Sequence, residues 1–129
     1  MTIAYLCILI AALLPYVWVA ISKASGQRYD NRDPRGWLTK QDNPRAHRAN
    51  SAQLNAFEAF APFAAGVLMA QFAGVDPQRI TWLAVAFVVL RIVHGFLYLA
   101  NKALLRSVIW TGGLACVLAL MVQAVAKIT

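Results

Sequence analysis

The chain has 129 residues, 60% of them hydrophobic and only 13% charged, with a formal net charge of +7 at pH 7. That length suits a single domain, and so strong an apolar excess excludes an ordinary soluble one. The apolar residues fall in four blocks of about 20, the length a helix needs to cross a hydrocarbon core, so a multi-pass integral membrane protein is expected.

The first predicted helix covers about residues 3–22 and carries no charge. Pro15 is expected to kink it, which membrane helices tolerate. No basic residue precedes this block, and it is too long for a signal-peptide core, so it reads as an uncleaved span. Residues 23–43 are polar and punctuated by Gly26, Pro34 and Gly36, the marks of a loop. Asn43 then reads as an N-cap, with Pro44 at the first helical position, where its missing N–H costs nothing. This second helix runs to about Gly74; its first turns carry Arg45, His47 and Arg48, and its membrane span is about 48–73. Asp76-Pro77 repeats the cap-then-proline device and opens a third span at about 78–100. Asn101 and Lys102 make a tight turn into a fourth span at about 104–127. Short connections make successive helices antiparallel neighbours. The predicted fold is therefore an all-α, left-handed four-helix membrane bundle, one domain over residues 1–129.

The positive charge is unevenly spread. Lys23, Arg28, Arg32, Arg35, Lys40, Arg45 and Arg48 cluster in the first connection and the helix start after it, while Lys102 and Arg106 flank the third connection. The second connection has only Arg79, offset by Asp76. This asymmetry puts the first and third connections in the cytoplasm and both termini outside it, with the bacterial inner membrane as the expected location. It also assigns the charge to a phospholipid surface rather than to nucleic acid. Cys7 and Cys116 fall in spans at different depths and read as buried thiols; neither a disulfide nor a metal site is expected.

Glu58 is the only acidic residue in a predicted span, and Arg91 is equally deep in another. Ionisable groups at such depth mark a functional site by default. At 100° per residue, Arg48, Asn55 and Glu58 share an arc of roughly 80° on the second helix, and Ser51 falls inside it. Arg91, His94 and Tyr98 share a face about 60° wide on the third. Glu58 and Arg91 each lie roughly 12–15 Å from the cytoplasmic end, so they are expected to pair. Pro62 cannot donate to the carbonyl of Glu58, which frees a backbone acceptor beside the carboxylate. Arg106 and Ser107 open the fourth helix at the same membrane face. Such a set suits a small zwitterion with several carboxylates: guanidinium groups clamp the acids, and Glu58 takes the ammonium. Each part has a plainer reading. A Glu58–Arg91 pair can simply lock helix register. Tyr98 can belong to an interfacial aromatic belt, as Trp18 and Trp82 are expected to, and His94 can be a packing group. Arg48 and Arg106 can snorkel to phosphates.

The ordered set Arg45-Ala46-His47-Arg48, Asn55-x-x-Glu58-x-Phe60-x-Pro62-Phe63, Arg91-x-x-His94-x-x-x-Tyr98 and Arg106-Ser107-Val108 resembles the MAPEG family, the membrane-associated proteins in eicosanoid and glutathione metabolism. The likeness covers roughly residues 45–113, and the four-span layout extends it to the whole chain. It implies a homotrimer that binds glutathione between subunits near the cytoplasmic face. The resemblance implies that Asn55, Glu58, Arg91 and Tyr98 hold the tripeptide and that Arg106 is the catalytic residue that stabilises the thiolate; Arg48, His94 and Ser107 complete the candidate glutathione-binding set. An adjacent guanidinium favours the thiolate of a thiol whose free pKa is near 8.5. Several relatives carry an arginine four residues before the asparagine, where this chain has Ser51; Arg48, one turn back, takes that place in bacterial-type members. The implied activity is transfer of glutathione to a lipophilic small-molecule electrophile arriving from the bilayer, with peroxidase activity as a variant. The alternatives are a non-catalytic lipid-binding scaffold of the same fold and a small multidrug exporter. Exporters of that kind carry their acid in the first helix, which here has none.

Overall fold

Three of the helix starts share one chemical device. Asp33, Asn43 and Asp76 accept hydrogen bonds from the backbone N–H groups of Gly36, Arg45 and Gln78, and each is followed by a proline at the first helical position. The computed structural model describes residues 1–129 and contains five helices: α1 (Thr2–Ala24), α2 (Pro34–Thr39), α3 (Pro44–Phe72), α4 (Pro77–Leu99) and α5 (Ala103–Ile128). The short α2 lies within the stretch read from sequence as loop. Six residues are too few to register an apolar period, and Pro34 and Gly36, which punctuate a turn in sequence, occupy its first and third positions.

Helix ends are equally explicit. At the end of α3, Gly74 has φ +77°, its N–H donates to Gln71 O, and Val75 N–H donates to Ala70 O. At the end of α4, Asn101 has φ +56°, its N–H donates to Tyr98 O, and Lys102 N–H donates to Leu97 O. Both are Schellman closures, which need a left-handed residue just past the helix. Glycine serves one; asparagine, among the side chains that best tolerate that region, serves the other.

α3 is the hub and packs on α1, α4 and α5; α1 also meets α4, and α4 meets α5. A row of buried alanines on α3 (Ala46, Ala49, Ala52 and Ala56) keeps that face slim, and Ala52 and Ala56 pack with Leu14 and Trp18 of α1. Ser22 on α1 donates to Ala46 O at 2.8 Å and ties the same two helices at one end. The main core joins Ala4, Cys7 and Ala11 of α1 to Phe63 and Val67 of α3, Ile80 and Phe87 of α4, and Cys116 and Leu120 of α5. Phe63 and Phe87 stack with ring centroids 4.0 Å apart. Both cysteines are buried and free. α1 and α3 continue through Pro15 and Pro62.

α1, α4 and α5 are long and apolar enough to cross a membrane. Their outward faces carry large apolar side chains, among them Val17, Trp82, Val89, Leu114 and Leu118, as expected of surfaces solvated by lipid. α3 is the longest helix at 29 residues but falls outside that class, because Arg45, His47, Arg48, Asn55 and Glu58 interrupt its apolar run.

Gly95 lets an aromatic side chain of α1 lie directly against the α4 backbone. A Cβ built there would overlap the indole ring of Trp18. Expected in an interfacial belt, Trp18 is instead 1% exposed and packed in the core with Leu14, Ala52 and Ala56, because the slim alanine face of α3 admits its ring. Gly95→Ala is expected to destabilise the protein by about 1–3 kcal/mol despite alanine's better helix propensity. Gly112→Ala meets only the flexible end of Leu90 at 3.3 Å and should be tolerated. Unfolding in detergent micelles, with partial recovery in the Gly95→Ala/Trp18→Phe double variant, checks the pair.

Candidate functional site

The polar stripes of α3 and α4 meet where those helices pack. Arg91 is 5% exposed, and its Nη2 donates to Asn55 Oδ1 at 2.8 Å. The expected Glu58–Arg91 ion pair is absent: the only ion pair in the molecule is Arg32–Asp30 in the first connection, where Arg32 holds the Asp30 carboxyl below its ordinary pKa. Glu58 is instead exposed at the lip of a cavity of about 190 Å³ that it lines together with Asn55 and Arg91. Helical spacing explains the exchange. Asn55 lies nearer the centre of the shared arc than Glu58, and it turns inward while Glu58 sits at the edge.

The rest of the cavity is apolar. Ala59, Pro62 and Phe87 come from α3 and α4, and Trp110, Gly113, Leu114 and Val117 come from α5. Pro62 lines it alongside Glu58, and the Glu58 carbonyl has no i+4 backbone donor. Sequence reasoning overlooked Trp110 and Leu114. A signal for Trp110 existed: it follows Arg106 by one helical turn on α5. Two buried side-chain nitrogens, Arg91 Nε and His94 Nδ1, have no hydrogen-bond partner.

A second polar cluster lies about 10 Å along α4, seven residues toward its C-terminus. Arg106 stacks its guanidinium over the Tyr98 ring at 4.1 Å, a cation–π contact. His94, buried between the clusters, meets Tyr98 edge-on with centroids 5.7 Å apart. Arg48 Nε donates to Leu99 O at 3.2 Å. With that bond, the last four carbonyls of α4 are all engaged: Phe96, Leu97 and Tyr98 accept from Ala100, Lys102 and Asn101 N–H groups, and Leu99 accepts from Arg48. Arg48 thus fastens the start of α3 to the turn that presents Arg106. Ser107 is exposed, donates to Ala103 O of its own helix, and joins neither cluster.

The structure therefore brings Asn55, Glu58 and Arg91 to one cavity, and Arg48, His94, Tyr98 and Arg106 to the adjoining end of α4. The arrangement can do two things chemically. The inner cluster offers a buried cation with a vacant donor beside a free carboxylate, and the outer one offers a guanidinium held flat over an aromatic face. Asn55→Leu should remove the only acceptor of a buried guanidinium and destabilise the protein by about 2 kcal/mol or more. Asn55→Asp, which restores an acceptor, should recover most of that loss in detergent unfolding experiments; equal losses in both variants would deny the bond a stabilising role.

A sequence model described as the MAPEG family matches residues 3–126. Comparison with curated proteins and with solved structures gives no match. With all but the extreme ends of its sequence matched, and with an all-helical build of membrane-length apolar helices, this chain belongs to the MAPEG family.

Proposed function

We propose that this chain is a glutathione-dependent membrane transferase that joins the tripeptide to a lipophilic electrophile. In this reading all four long helices cross the bilayer, and three copies assemble with a site between neighbours. The observation that carries it is the inner cavity, which Arg91, Asn55 and an unpaired carboxylate, Glu58, line together; the same guanidinium keeps a buried Nε donor without a partner. A buried donor without a partner is unfavourable by about 1–3 kcal/mol, so this site is poised for an acceptor such as a ligand carboxylate. Glu58 is placed to take an ammonium. The cavity's volume of about 190 Å³ falls short of the roughly 300–1,000 Å³ of small-molecule pockets, and its mouth is open. Both features fit a ligand held partly by a second subunit.

Glutathione, when bound, would supply the nucleophilic thiol. Arg91 and Asn55 orient the peptide, Glu58 fixes its amino group, and Arg106 lowers the cost of a negative sulfur at the outer end of α4. Tyr98 holds the Arg106 guanidinium against its ring face through the cation–π contact. Trp110, Leu114 and Phe87 supply the apolar side of the cavity, where an electrophile dissolved in lipid would rest. The same apolar lining also suits the second reading, a scaffold that holds lipid without consuming glutathione.

Calorimetric titration of glutathione into the detergent-solubilised protein separates the two readings. Wild type should bind, and Glu58→Gln should bind about tenfold more weakly, a loss of about 1.4 kcal/mol. Arg106→Ala should retain binding but lose the ultraviolet thiolate absorbance of the complex. Absence of any glutathione heat in wild type would leave the scaffold.

A further inference from the structure

The first connection, residues 25–43, is not a slack loop. Trp37 is buried and donates from its indole nitrogen to Arg28 O at 3.1 Å. Gln41 is buried too; its Oε1 accepts from Gln27 N–H and its Nε2 donates to Trp37 O, both at 2.8 Å. Asn43 Nδ2 reaches back to Ser25 O at 2.7 Å, and His47 Nε2 lies 2.8 Å from Gln41 O. These bonds fasten the connection to the ends of α1 and α3 and hold its backbone in one shape.

What it displays is cationic. Of its three acids, Asp30 is taken by Arg32, Asp33 caps α2, and exposed Asp42 stands without an ion-pair partner. Arg28, Arg35 and Lys40, with Arg45 in the first turn of α3, are exposed and form no ion pair. The Arg48–Leu99 bond places the α4–α5 turn at the same end, adding Lys102 and Arg106. That end of the molecule holds nine Lys and Arg against three Asp, whereas the far end holds Arg79 and Lys127 against Asp76. The depth is also defined. Leu104 and Leu105, which are 79% and 55% exposed, follow Lys102 within three residues, and the apolar outward face of α1 ends at Lys23. The cations thus stand where lipid-facing helix surface gives way to headgroups.

We propose that this folded connection is a selective docking surface for anionic phospholipid headgroups of the bilayer around the protein. The chemistry matched is a plane of phosphodiester anions. The cations are spread over a surface, and the five cavities along the helices are lined by other residues. A soluble ligand would need a pocket; a leaflet needs only several fixed charges at one height. A basic residue near an anionic surface contributes roughly a fivefold gain in affinity, so four unpaired cations give a large preference that salt screens.

The test uses the full chain in nanodiscs made from an equal mixture of phosphatidylglycerol and phosphatidylcholine, followed by mild detergent extraction and mass spectrometry of the retained lipid. Wild type should retain phosphatidylglycerol severalfold above the bulk ratio, and the enrichment should fall as salt is raised, a readout that needs no variant. The combined variant Arg28→Gln/Arg35→Gln/Lys40→Gln/Arg45→Gln should retain the bulk ratio while keeping its helical circular dichroism. Arg79→Gln/Lys127→Gln, at the other end, should keep the enrichment. Retention at the bulk ratio in wild type, or equal loss in both variants, would overturn the proposal. So would salt-sensitive binding of a single-stranded oligonucleotide or heparin that phosphatidylglycerol fails to displace, which would assign the surface to a soluble polyanion.

Discussion

A guanidinium in an apolar interior is the constraint around which this molecule is organised. Placing an arginine at the centre of a membrane helix costs about 2.5–3.5 kcal/mol on insertion scales. One hydrogen bond to a charged group returns about 1.5–3 kcal/mol. The bond from Arg91 to Asn55 therefore roughly offsets the burial and little more. The balance explains why α3 and α4 must keep their register at this level, and why the leftover donor on Arg91 matters. A site that is nearly neutral when empty gains by taking an acceptor.

The outer cluster depends on a different kind of bookkeeping. An α-helix leaves its last four carbonyls without intrahelical donors. In α4 the Schellman turn at Asn101 and the Arg48 side chain between them occupy all four. Because α5 begins at Ala103, directly after that turn, the same bonds aim Arg106 back across Tyr98. Arg48 consequently links the connection between α1 and α3 to the C-terminal end of α4. Mechanical continuity runs from the basic surface to the guanidinium proposed to face the sulfur.

Much of this was legible in the amino-acid sequence. The Asn43-Pro44 and Asp76-Pro77 pairs announced the starts of α3 and α4, and Gly74 and Asn101 announced their ends. The helical arcs correctly put Asn55, Glu58 and Arg91 on one wall. What periodicity does not contain is rotamer choice between near-equal acceptors, so it paired Arg91 with the charged Glu58 rather than with Asn55. Nor does it show backbone acceptors, and the partner of Arg48 is a carbonyl. The third omission is α2: Asp33-Pro34 is the same starting signal as the other two, but the helix ends within two turns and its glycine reads as a break. Gly95 carried no local cue at all. Its need for a missing Cβ is created by Trp18, 77 residues earlier in the chain.

The most direct test of the account follows the side-chain Nε–H of Arg91 by nitrogen-15 NMR in arginine-labelled protein, its resonance assigned through Arg91→Lys. Glutathione should shift that signal and slow its exchange with solvent, as expected when the vacant donor engages a carboxylate. A signal that stays unmoved while glutathione demonstrably binds would place the ligand elsewhere and contradict the central claim.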